Sequence, residues 1–91
     1  MKKKIRVLID GAGTATAISI LKGLRKQDDY EVFIVTDDMM ENNAGKYLSD
    51  KFYPVPRASD EAFIPTVVDI CKNEKIDLFF PIIEYGYAGI V

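Results

Sequence analysis

Residues 4–16, Lys-Ile-Arg-Val-Leu-Ile-Asp-Gly-Ala-Gly-Thr-Ala-Thr, read as a strand that runs into a glycine turn and then a helix. The apolar run Ile5, Val7, Leu8, Ile9 suits a strand covered on both faces. Gly11 and Gly13 permit a tight turn and a close approach of backbone to a ligand. The helix beginning there aims its first N–H groups at whatever lies over the turn, which favours an anionic group. From Gly11 the pattern is Gly-x-Gly-x-x-Thr. It is therefore half of a dinucleotide fingerprint, with Thr16 at the place of the third glycine.

The rest of the chain repeats the alternation. Ala17, Ile20, Leu21 and Leu24 fall at i, i+3, i+4, i+7, which predicts a helix over residues 15–26. Residues 30–36 carry Val32, Phe33, Ile34 and Val35, a run typical of a central parallel strand. Two strands joined by such a helix form a right-handed βαβ unit. Residues 37–43 have loop chemistry, residues 44–50 a short helix, and residues 52–56 a short strand that Pro54 and Pro56 confine to an edge. Ser59 and Asp60 open the next helical region. Because proline is best tolerated at a helix start, residues 61–64 read as a turn and 65–74 as the helix, with Val67, Val68, Ile70 and Cys71 inward. Residues 77–83 make the last strand. The expectation is a three-layer α/β domain with a four-stranded parallel sheet in the order 3-2-1-4.

Ninety-one residues make one domain, smaller than a complete enzyme of this class. It ends just after a strand, so residues 1–91 read as one domain of a longer protein. A net charge of −2 gives no basic face for nucleic acid. No apolar run approaches the roughly 20 residues of a membrane span, so no membrane partner is expected. With one cysteine, Cys71, no internal disulfide can form, and a reducing cytoplasm is the simpler setting. The absence of histidine excludes Ser-His-Asp chemistry within the chain. No Gly-Lys-Ser/Thr follows the glycine turn and no Gly-x-Ser-x-Gly occurs, so a triphosphate loop and a nucleophile elbow are excluded as well.

In a parallel sheet, ligands bind beyond the carboxyl ends of the strands. Four segments converge there: Asp10 to Thr16, Asp37 and Asp38, Arg57, and Glu84 to Gly86. Thr14 and Thr16 can face an anion or cap the helix. Asp37 and Asp38 stand about where a ribose-binding acid would, or serve the turn. Glu84 can accept from an amine or hydroxyl. These residue types leave open the N-terminal half of an NAD(P)-binding oxidoreductase and a nucleotide-sensing module without catalysis.

The succession Val-Leu-Ile-Asp-Gly-Ala-Gly-Thr-Ala, the segment Ala-Gly-Lys-Tyr-Leu-Ser-Asp-Lys-Phe-Tyr-Pro-Val-Pro-Arg at 44–57, residues 70–77 and Pro81-Ile82-Ile83-Glu84 resemble the N-terminal domain of ATP-grasp enzymes. The likeness is to proteins similar to the carbamoyl-phosphate synthase large subunit and to related amino-acid ligases. It implies a Rossmann-like preATP-grasp domain that supplies one wall of a substrate cleft through Gly11, Ala12, Gly13, Thr14, Asp37 and Glu84. It implies further that ATP and Mg2+ are held mainly by a later module, and that the parent is a ligase while this domain alone is inactive. The expected partners are a small-molecule carboxylate or amine, the remaining ATP-grasp domains of the same chain, and a second copy in a homodimer.

Overall fold

The computed structural model describes residues 2–82. Seven elements alternate along the chain: β1 (Lys3–Asp10), α1 (Ala15–Lys26), β2 (Tyr30–Asp38), α2 (Ala44–Leu48), β3 (Lys51–Pro54), α3 (Phe63–Asn73) and β4 (Leu78–Phe80). The sheet runs β3-β2-β1-β4 with every pairing parallel, a Rossmann-like α/β arrangement. β1 and β2 sit centrally and pair over eight positions, from Lys3 with Tyr30 to Asp10 with Asp37.

Helices cover both faces because the central strands are apolar on both. Val7, Ile9 and Ile34 meet Ala17 and Leu21 of α1 on one face. Leu8 and Val35 meet Phe63, Val67 and Ile70 of α3 on the other, with Val55 from the segment after β3. Phe63, Leu8, Ile9, Leu21 and Ile34 are all fully buried. Each such side chain contributes about 1.5–3 kcal/mol of transfer free energy, enough to make these two seams the main source of stability.

Local chemistry sets the element ends. Thr14 caps α1, its hydroxyl accepting from the Ala17 N–H at 3.1 Å and donating to the Gly11 carbonyl at 2.8 Å. Asn43 caps α2 in the same way through Lys46. α3 begins at Phe63, two residues before the start expected from Pro65. Pro65 is tolerated in this first turn because the N–H it lacks would have had no intrahelical partner. Phe63 joins Val67 and Ile70 on the buried face, whereas Val68, expected inward, is 43% exposed. At the other end Lys75 takes a left-handed φ of 52°, and the Ile76 N–H returns to the Cys71 carbonyl at 3.0 Å.

The foot of the sheet, opposite its carboxyl ends, is held by Glu74. Its carboxylate takes Lys51 at 2.6 Å, Arg6 at 2.9 Å and the Tyr53 hydroxyl, while the Arg6 guanidinium also lies 4.1 Å over the Phe33 ring. One acid thus joins the end of α3 to β1 and β3. Lys51, then Tyr53 and Arg6, hold the Glu74 carboxyl below its ordinary value near 4.5. Glu74→Ala is expected to cost about 2 kcal/mol, below the roughly 3–5 kcal/mol of a fully buried pair because Arg6 and Lys51 remain partly solvated. Since the folded state depresses this acid, its contribution is full above that ordinary value and is lost as pH falls through the lower one. Thermal melts at about pH 7 and pH 3 check both points: the variant's deficit should shrink in acid.

Candidate functional site

β1 and β2 end side by side, and the turn that follows β1 closes over their ends. Gly11 adopts a φ of 69°, a left-handed conformation that favours glycine. The turn then folds onto the end of β2: the Ala12 N–H donates to the Asp37 carbonyl at 2.9 Å, the Gly13 N–H to the Asp38 Oδ2 at 2.7 Å, and the Thr14 N–H to the Gly11 carbonyl at 2.9 Å. Three successive N–H groups are therefore consumed inside the protein. Ala12 is fully buried and Gly13 is exposed.

Asp38 does more than receive Gly13. Its Oδ1 accepts from the Met40 N–H at 3.0 Å, so one carboxylate ties the loop after β1 to the loop after β2. From below, Gly45 of α2 presses against Ala12. A Cβ on Gly45 would lie 2.2 Å from the Ala12 carbonyl oxygen, closer than any atom can sit. Sequence reasoning missed both contacts, although a glycine inside the first turn of a short helix was a visible signal of close approach.

Above the turn lies a cavity of about 240 Å3. Asp10, Gly11 and Thr14 form one side, Asp38 and Met39 the rim, and Val55, Pro56, Ala58 and Phe63 an apolar wall. Its ionisable lining groups are carboxylic acids, and no lysine or arginine is among the described residues that line it. The structure thus gathers Gly11, Thr14 and Asp38 at one cavity. Arg57 is exposed and outside the lining, and Glu84 lies outside the described residues.

Asp37 sits elsewhere than its loop-like sequence suggests. It continues β2, paired with Asp10 of β1 and Tyr53 of β3, and is fully buried. Its carboxyl faces the Asp10 carboxyl and the Gly11 N–H, neither of them in close hydrogen-bond geometry. Burial, followed by the neighbouring Asp10, pushes its pKa up to about 10. At neutral pH it is a protonated acid beside a second buried carboxyl. Burial likewise pushes the Cys71 thiol up, as expected of a packing cysteine rather than a nucleophile.

These residues do not fit a triphosphate. The turn has spent its N–H groups, and carboxylates rather than cations face the cavity. Among the described residues there is no cluster of three or more metal-ligating side chains, and no helix is long and apolar enough to cross a membrane. No curated protein matches the chain significantly. A family described as PylC-like, N-terminal domain, matches residues 7–88. That match begins within β1 and covers β2, the glycine turn and the acid-lined mouth, and the chain belongs to this family of preATP-grasp domains.

Proposed function

We propose that the domain forms one wall of the substrate cleft in an ATP-dependent carboxylate–amine ligase, organised like the carbamoyl-phosphate synthase large subunit and related amino-acid ligases. In this reading ATP and Mg2+ bind on the remaining ATP-grasp domains of the same chain. There ATP supplies the phosphoryl group that activates a carboxylate for attack by an amine. The contribution of these 91 residues is to bind and orient: the turn at Gly11–Thr14 and the acid Asp38 present a fixed surface, and the wall of Val55, Pro56 and Phe63 excludes water from an apolar substrate stem.

The observation that carries the reading is the closed glycine turn. A dinucleotide site needs free N–H groups there for the pyrophosphate. Here Ala12, Gly13 and Thr14 direct theirs to Asp37, Asp38 and Gly11. This favours a substrate wall over the oxidoreductase alternative. Calorimetry with NAD and NADP is expected to show no saturable heat, and affinity for either would revive the oxidoreductase. In the parent protein, release of ADP should require a carboxylate and an amine together. Turnover that ignores the amine would contradict the ligase reading.

A further inference from the structure

We infer that Asp38 is a specificity-determining residue of the mouth: its carboxylate fills the anion position of the glycine turn from within the chain and so keeps phosphate groups off this wall. The inference rests on the substrate-wall reading and deepens it, because it names what reserves the mouth for substrate while nucleotide is held elsewhere.

The fold places Asp38 for this task. Side chains alternate along β2, so Asp38 shares the face on which Ile34 meets α1. The pairing of β1 with β2 ends at Asp10 and Asp37, which leaves Asp38 one residue further on, level with the turn. Its backbone is fixed from the other side, where the Val55 N–H donates to the Asp38 carbonyl at 3.1 Å. The carboxylate then takes the Gly13 N–H with Oδ2 at 2.7 Å and the Met40 N–H with Oδ1 at 3.0 Å. A Cβ on residue 13 would lie 3.1 Å from that Oδ2, so glycine is what admits the acid this closely.

Asp38 occupies the position at which a glycine turn takes an external anion. Gly13 and Thr16 are exposed, and the N–H groups of Ala15 and Thr16, in the first turn of α1, have no intrahelical partner. Ala12 and Thr14 give their N–H groups to backbone carbonyls, whereas Gly13 gives its own to a side chain. A phosphate arriving there finds that donor spent and meets a fixed negative charge. Removing one side chain should therefore reverse the selection. A carboxylate that served only to steady the loops would not produce such a gain.

The test is titration of the isotope-labelled protein with inorganic pyrophosphate at neutral pH, without divalent cations, followed at the Gly13 amide resonance. The wild type should show no saturable shift. Asp38→Ala should bind at least about tenfold more tightly, the gain expected of one recovered donor and one removed charge. Asp38→Asn keeps the shape and loses the charge, so it should fold even where Asp38→Ala does not, and it should show the same Gly13 shift. Glu41→Gln removes an exposed charge from the same loop without touching the turn and should bind as weakly as the wild type. Melts of each variant check the fold. Saturable binding by the wild type at Gly13, no gain in the folded Asp38 variants, or an equal gain in Glu41→Gln would overturn the proposal. Calorimetry with NAD and amine-dependent ADP release by the parent protein are scored separately, so a failure here leaves the ligase reading standing.

Discussion

Gly45→Ala is expected to lower the melting temperature by about 10–15 °C, corresponding to about 2–3 kcal/mol for a domain of this size. The sign is the informative part. Alanine is the better helix former by about 1 kcal/mol, so at an open helical site the change would stabilise. At Gly45 the added methyl would stand 2.2 Å from the Ala12 carbonyl oxygen and 2.9 Å from the Ala12 Cβ. Both belong to a turn held by its own hydrogen bonds, so neither can swing aside as a flexible side-chain tip would. Either α2 lifts or the turn moves, and moving the turn strains the bonds from Ala12 and Gly13 to the end of β2. Gly23 of α1 is the internal control, since nothing lies within 4 Å of its Cβ position. Gly23→Ala should raise stability by roughly 0.5–1 kcal/mol. Denaturant melts of both variants measure the contrast, and a stabilising Gly45→Ala would contradict the packing described above.

The second large effect is a pH dependence carried by Asp37. Its folded pKa of about 10 lies far above the ordinary 3.8, so the folded protein holds a proton that the unfolded chain releases. For such an acid, stability is full below the ordinary value and falls as pH rises towards the folded one. The limiting slope is about 1.4 kcal/mol per pH unit. Applied without relaxation between pH 5 and pH 8, that slope would remove about 4 kcal/mol, a large part of what a small domain possesses. Relaxation of the surroundings tempers it, and the expected loss over this range is about 2 kcal/mol. Asp37→Asn keeps the shape, cannot ionise and brings its own donors. It should flatten the profile and raise the melting temperature near pH 8 by about 10 °C, while changing little near pH 4. Melts of both proteins across that range decide the matter: parallel profiles would mean that Asp37 is ionised in the folded state.

Much of the architecture was legible in periodicity. Strands buried on both faces have no choice of pattern, and the runs Ile5–Ile9 and Val32–Val35 announced a parallel sheet before any pairing was known. The glycine turn and its place beyond β1 followed from the same logic. The helix boundary near Pro65 was harder, because proline's effect depends on its depth in the helix and three residues near the start accept it. Asp37 was misread as loop because acids are rare in strand interiors. Its burial depends on Asp10 and on the covering α3, neither of which local sequence reports. Glu74 was missed for the same reason. Its three partners come from Arg6, Lys51 and Tyr53, distant in the chain, and only the odd presence of Arg6 within an apolar strand hinted at a buried acid.

Asp38 has a consequence for anyone who would graft or exchange the loops of this domain. Its carboxylate accepts the Gly13 N–H with one oxygen and the Met40 N–H with the other. Transplanting the turn after β1 without the segment after β2, or the reverse, removes one half of that bridge and strands either a donor or a charged acceptor at the rim. The two crossovers are therefore a single transferable unit, although more than twenty residues of chain separate them.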